Sequence, residues 1–299
     1  MNALDNLPLH EHVIMEQQVL DLLVATLDAS GPIRNDAERQ LEQLYTNDAF
    51  PILLVSIAAH KSVPLEHRQA ALLSLKKLVL KTWSPSLDEY EGVVIHSDAT
   101  KEYLRQTILS IATAGEEERK IVAAASYVVS KIASVDFPEQ WPNLLPTLLN
   151  LVPQADASQL HGVLVVLSNL VEDGFDDDQF STSAVELVKC VYTVAADGNK
   201  RWATRALAVS IFRACFDTME LVYQNNKAAV QQFMQEASDA WSPFFMEALK
   251  TPLPYMPTED EEMQGSPGGP AVINWRGAIS LKTQIVKVSG AHAPRPMEY

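Results

Sequence analysis

Helix-length stretches of amphipathic sequence follow one another in pairs, and the pairs return roughly every 40 residues, the period of HEAT and armadillo arrays. In MEQQVLDLLVATLDA (15–29), Val19, Leu22, Leu23, Thr26 and Leu27 fall at helical spacing. GPIRNDAERQLEQLY opens with proline in a first-turn position and closes near Asn47. DAFPILLVSIAAH (48–60) follows, then PLEHRQAALLSLKKLVLKTW (64–83), again led by proline. Further helical text covers 97–114, 116–135, 138–153, 157–173, 178–196, 199–223 and 226–250. No window alternates with the period-two pattern of a strand.

A helix pair of this kind buries its apolar face on its neighbours. The expected fold is therefore all-α: an α-solenoid of HEAT repeats, a right-handed superhelix of antiparallel helix pairs over 15–290. The repeats read as 15–47, 48–83, 97–135, 138–174 and 177–223, and a sixth begins at Lys227. PTEDEEMQGSPGGP (257–270) interrupts the sixth, and AVINWRGAISLKTQIVKVSG (271–290) completes it. The acidic, Gly- and Pro-rich interruption is expected to be a mobile loop, with 1–14 a leader and 291–299 a tail.

Only 11 glycines in 299 residues argue against a turn-rich all-β chain, and 38 acidic against 23 basic residues give a formal charge of -15. That balance disfavours phosphate-backbone binding and suits basic partners. Cys190 and Cys215 are too few for a disulfide framework or a zinc site, and their apolar helical surroundings suggest buried thiols in a reducing compartment. No apolar run reaches the length that spans a membrane, and MNALDNLPLHEHVIMEQQ lacks a signal-peptide layout. A soluble intracellular protein is expected. His10 and His12 have no further ligands nearby, so no metal is expected. Neither a nucleophile elbow nor a Gly-rich phosphate loop occurs, so neither catalysis nor a cofactor is expected.

The stretch VDFPEQWPNLLPTLLNLV (135–152) sets three prolines in helical text. Pro138 suits a first-turn position capped by Asp136, with Trp141 packed over the turn that Pro142 opens. Pro146 then bends the helix, unless the helix starts nearer Trp141.

The same stretch resembles a HEAT-repeat start in importin-β family karyopherins, where Phe-Pro-x-x-Trp-Pro-x-Leu-Leu is typical; Phe137, Pro138, Trp141, Pro142, Leu144 and Leu145 match. HRQAALLSLKKLVLKTW is similar to the family's N-terminal repeat through Arg68, Ala70, Ala71, Leu75, Lys76 and Trp83. Together with ASYVVSKIASVDFPEQWP it is most similar to the importin-9 branch. Members run to about twenty repeats, so the resemblance implies an N-terminal portion, as a fragment or a shortened gene product. It also implies a nuclear import receptor that shuttles between cytoplasm and nucleus. Its partners would be Ran-GTP, basic cargo such as histones, and nucleoporin Phe-Gly repeats, with no direct nucleic acid and no membrane. An export receptor of the same superfamily, and a HEAT scaffold that ignores Ran, are the rival readings.

In the family the second helix of each pair lines the concave surface, and the first repeats grip Ran-GTP. The resemblance thus makes Lys76, Lys77 and Lys81 candidate Ran contacts, against a plain solvated basic face. Leu72, Leu75 and Val79 form the apolar face, Lys77 and Lys81 lie opposite it, and Lys76 lies at the seam. Arg68 falls in that apolar sector and is expected in a structural ion pair to a neighbouring repeat. Glu172, Asp173, Asp176, Asp177 and Asp178 form either an inter-helix turn or an acidic patch attracting basic cargo; their spacing fails a calcium loop. Phe180, Leu187 and Tyr192 fit Phe-Gly contacts or ordinary packing.

Overall fold

The computed structural model describes residues 9–92, 96–116, 118–175, 177–222, 227–258, 261 and 269–291. Among them are twelve α-helices and no strand. The chain divides into two compact units. The first takes in the chain to Pro146 together with Gln154–Gly174, the second Thr147–Pro153 and everything from Phe175.

In the first unit, α1 (Leu9–Ala25) pairs with α2 (Gly31–Gln43), α3 (Phe50–Ala59) with α4 (Leu65–Thr82), and α5 (Asp98–Thr113) with α6 (Arg119–Asp136). First helices stack on first helices (α3 on α5) and second on second (α4 on α6), the layering of a solenoid. α8 (Ala157–Asn169) adds a further layer against α5 and α6 and runs into a π turn at Leu170–Gly174. Residues 9–14, expected in the leader, belong to α1. α3 reads PILLV because it meets α1, α4 and α5, and Ile52, Leu53, Leu54 and Val55 are fully enclosed. A helix apolar all round is a buried helix.

Helix ends are closed by side chains from the next helix. The last carbonyls of a helix lack internal donors. Arg68 Nε donates to Ala58 O (2.8 Å) behind α3, and Arg34 Nη1 donates to Asp28 O (2.7 Å) and Ala29 O (2.9 Å) behind α1. Successive pairs are joined by Asp48, just before α3. Its carboxylate accepts from Ser97 N (3.1 Å), Ser97 Oγ (2.7 Å) and Thr100 Oγ1 (2.8 Å) at the start of α5. His96 Nδ1 also meets Asp48, at 3.3 Å, while its Nε2 faces Thr82 Oγ1 at 3.2 Å. Close stacking fixes one glycine: a Cβ on Gly162 of α8 would lie 2.2 Å from Ala112 O of α5.

The proline-rich stretch differs from expectation. α6 extends through Asp136, whose carbonyl accepts from Gln140 N and Trp141 N, and whose carboxylate pairs with buried Arg105. Asp136 therefore ends a helix instead of capping the next one. Phe137, Pro138, Trp141 and Pro142 lie in the turn, with a cis Phe137–Pro138 bond. α7 (Leu144–Leu151) starts late enough to put Pro146 in its first turn, where no bend is required. Phe137 and Trp141 are buried, as is Trp83 at the end of α4.

α7 falls at the division between the units. In the second unit, α10 (Trp202–Val222) packs on α9 (Asp177–Ala196) and on α12 (Pro270–Ala291), with α11 (Lys227–Lys250) against all three. Gly277 allows the α10–α12 contact, since a Cβ there would lie 2.8 Å from Ala203 N. The capping device returns. Arg205 Nε donates to Ala195 O (2.8 Å) behind α9, and Lys282 Nζ donates to Leu249 O (2.8 Å) and Thr251 O (2.6 Å) behind α11. Trp241 of α11 stacks on Phe212 (centroids 3.8 Å apart) and meets Tyr192 edge-on at 5.2 Å. Cys215 is buried and Cys190 half-buried; burial pushes the Cys190 thiol up to about 11 and that of Cys215 higher still, so both stay protonated at neutral pH. Of the 257–270 interruption, 259–260 and 262–268 lie outside the described residues; Glu261 accepts from Thr258 N (2.9 Å) and Tyr255 OH (2.8 Å).

Candidate functional site

α4, a second helix of the first unit, carries the three candidate lysines and Arg68. On α4, Leu72, Leu75 and Val79 are buried as the helical pattern requires. Lys77 Nζ reaches Glu38 of α2 at 2.9 Å, and Lys81 Nζ reaches Glu42 of α2 and Glu91 at 3.1 Å each. The bonds from Glu91 and Glu42 hold the Lys81 ammonium above its ordinary pKa. Lys76 takes another course: its Nζ stands 4.1 Å above the ring of Tyr127 on α6. Lys131 Nζ lies 5.3 Å from the same ring. Neither Lys76 nor Lys131 makes an ion pair among the described residues. Lys77 and Lys81 are thus already neutralised within the chain, whereas Lys76 and Lys131 keep their charge available beside one aromatic face.

A cleft of about 330 Å³ opens next to that ring, with Leu80 of α4, Tyr127, Lys131 and Ser134 of α6, and Ser86, Asp88 and Glu89 of the loop after α4. Sequence reasoning missed Glu38, Glu42, Tyr127 and Lys131. One signal was available: Glu38 and Lys77 are separated by 39 residues, and so are Glu42 and Lys81. Opposite charges one repeat apart on successive second helices face each other.

Arg68 behaves as its apolar position predicts. It pairs with Glu116 across the repeat boundary, with both side chains over nine-tenths buried. Burial raises the Glu116 pKa, but the Arg68 bond, the Glu118 N–H and the charges of Arg68 and Lys61 outweigh it and hold it below the usual carboxylate value. Trp83 is capped by Lys101, whose Nζ sits 5.1 Å from the ring and donates to Trp83 O at 2.9 Å.

Elsewhere the predicted residues scatter. Glu172 is exposed on the π turn, Asp176 lies outside the described residues, and so do the side chains of Asp173, Asp177 and Asp178 and of His10 and His12. In the second unit, Phe180 and Leu187 are enclosed core residues. Tyr192 lines a groove of about 290 Å³ between α9 and α11, with Val185, Val188, Phe233, Ala237 and Trp241. Lys189 and Glu236 also line it. Among the described residues no group of three or more His, Cys, Asp or Glu is placed to hold a metal, and no helix is long and apolar enough to cross a membrane.

Stacked helix pairs with charged second helices define a HEAT-type solenoid. Residues 37–113, which run from α2 through α5, match the importin-β N-terminal domain. Importin subunit beta-5 of Schizosaccharomyces pombe is 26% identical over 244 residues, covering 80% of this chain and 24% of that protein. Exportin-2 of Danio rerio is 24% identical over 267 residues, covering 83% and 26%. The chain thus spans about a quarter of the length of these relatives. Among solved structures, the cargo-free exportin Cse1 superposes with a TM-score of 0.64 at 21% identity, over 91% of this chain and 29% of that one. A Kap95–Nup1 complex gives 0.59 at 17% identity over 95% and 36%, and Kap95p with RanGDP gives 0.58 at 18% over 95% and 36%. At these identities the structural likeness is one of fold. Residues 37–113 are thus similar to the importin-β N-terminal domain, and the fold of the chain is that of the importin and exportin HEAT solenoids. The relatives do not single out the importin-9 branch.

Proposed function

We infer that this chain is the N-terminal, Ran-binding arm of a nuclear import receptor, of the importin-9 branch by its Arg68–Trp83 and Phe137–Leu145 motifs. The reading rests above all on the match at 37–113, the stretch that contains α4 and its lysines. Kap95p is known bound to Ran and to Nup1 in chains of this fold. By this reading Ran-GTP docks on the second-helix face of the first unit, with Lys76 supplying an unneutralised cation. Lys77 and Lys81 take part only by exchanging Glu38, Glu42 and Glu91 for carboxylates of Ran. Basic cargo, histones among them, suits the net charge of -15 and the run Glu172–Asp178. The groove beside Tyr192 and Trp241 receives the phenylalanine of nucleoporin Phe-Gly repeats, and the receptor shuttles between cytoplasm and nucleus.

Export is the second reading, favoured by the exportin-2 relatives. The two differ in the sign of a coupling free energy, which is reciprocal between the sites. The test is titration of the protein with a histone dimer in the presence and absence of Ran-GTP. Weaker histone binding with Ran-GTP is the import result. Strengthened binding establishes export, and indifference to Ran removes both.

A further inference from the structure

We propose that Ser86 is a phosphorylation site for an acid-directed serine kinase, and that its phosphate bridges the cleft beside Tyr127 to Lys131 and Lys76.

Ser86 is exposed in a tight turn after α4. Its N–H donates to Ser84 Oγ (3.3 Å), Leu87 N donates to Ser84 O (3.1 Å), and its own hydroxyl makes no hydrogen bond among the described residues. The turn is strapped to α4 by Glu91, which donates its N–H to Lys81 O (2.9 Å) and pairs with Lys81 Nζ. The hydroxyl is therefore presented on a fixed loop, followed at the second and third positions by exposed Asp88 and Glu89. Charge patterns of this kind are how kinases choose substrates. Ser84 is a poorer acceptor because it is half-buried and its oxygen already takes the Ser86 N–H.

The far wall of the cleft supplies the receiving charge. Lys131 lines it with Ser86, and both Lys131 and Lys76 sit against Tyr127 without a carboxylate partner among the described residues. Transfer takes the γ-phosphoryl group of ATP: the Oγ–P bond forms, the bond to the ADP leaving oxygen breaks, and the hydroxyl proton goes to the kinase base. The product carries close to two negative charges and three acceptor oxygens. Ammonium groups across the cleft form charge-assisted hydrogen bonds with it. Asp88 and Glu89 oppose the added charge, so the lysines must outweigh them for the bridge to form. Resting on the function proposed above, the consequence is regulatory, because the bridge withdraws Lys76 and Lys131 from an acidic partner.

The experiment phosphorylates the intact protein with an acid-directed kinase and ATP, locates the phosphate by mass spectrometry, and titrates it by phosphorus NMR. One phosphate on Ser86 is expected, absent from Ser86→Ala. Its second ionisation should fall below the value of about 6 for a free phosphoserine, should rise part of the way back in Lys131→Ala, and should return to it when Lys76→Ala is added. Modification of an 80–95 peptide but not of the folded protein overturns the site. A phosphate on Ser86 that titrates as in the peptide overturns the bridge. Both readouts are independent of Ran, so a failed Ran titration leaves them standing.

Discussion

Replacing Arg68 by methionine removes a guanidinium that performs two tasks in an enclosed place. Its Nε closes the end of α3 at Ala58 O, and its Nη2 pairs with Glu116 across the repeat boundary. Only 6% of the Arg68 side chain and 9% of that of Glu116 are exposed, so solvent cannot take over when one partner goes. Breaking a buried pair from one side costs about 3 to 5 kcal/mol, chiefly through the stranded charge. For a domain of 150 to 250 residues each kcal/mol moves Tm by about 2 to 4 °C, so a fall of about 6 to 20 °C is expected. Adding Glu116→Gln should recover much of it, since the stranded carboxylate is then gone. The pH dependence carries the same signature. Glu116 has a lowered native pKa, so its stabilisation is present above the unfolded value of about 4.3 and is lost as pH falls through the native value. The variant should lose less between those values than the wild type does. Urea melts of wild type, single and double variants at several pH values provide the assay. A single variant within about 1 kcal/mol of wild type would refute a buried, mutually dependent pair.

Trp141→Ala should cost about 3 to 5 kcal/mol, because the indole is 93% buried in the turn after α6; an unchanged melt would mean that the indole lies at the surface. Burial lowers the pKa of His96, with Lys101 adding to it and Asp48 opposing. The stabilisation from the neutral ring is therefore present above about pH 6.5 and is lost as pH falls toward the native value. Proton NMR finding His96 titrating at or above its ordinary value would contradict this. Lys77→Glu with Lys81→Glu sets new carboxylates against Glu38, Glu42 and Glu91. Each exposed pair contributes only about 0.2 to 1 kcal/mol, so a modest Tm loss relieved by salt is expected; a salt-independent loss would argue against the interhelix pairs.

The repeat period and the buried place of Arg68 were legible, because each depends on the pattern within one helix or one pair. Arg68 and Arg205 each reach a carbonyl ten residues back, at the end of the preceding helix, so that cap too was open to reading in register. What lay beyond the sequence is what stacking decides. The helical wheel sets Lys76 at the seam of the apolar face and Lys77 opposite it, but that Lys76 meets Tyr127 and not a carboxylate depends on how α4 sits on α6. The proline-rich stretch misled for a related reason. Asp136 resembles an N-cap, but Arg105 engages its carboxylate and its carbonyl closes the turn, so the helix before it runs on. Pro243 lies inside α11 without ending it, since tertiary packing there, with Trp241 stacked on Phe212, overrides local preference.

The most direct measurement is calorimetric titration of wild type and Lys76→Glu with Ran-GTP and with Ran-GDP, with melting curves as a folding control. A receptor arm should bind the GTP form more tightly than the GDP form. Lys76→Glu should weaken the GTP complex several-fold, mostly through association, with the fold retained and only a small Tm loss from the missing Tyr127 contact. Equal binding of both nucleotide forms, or none, would contradict the assignment. Full affinity in the folded variant would move the contact off this face of α4.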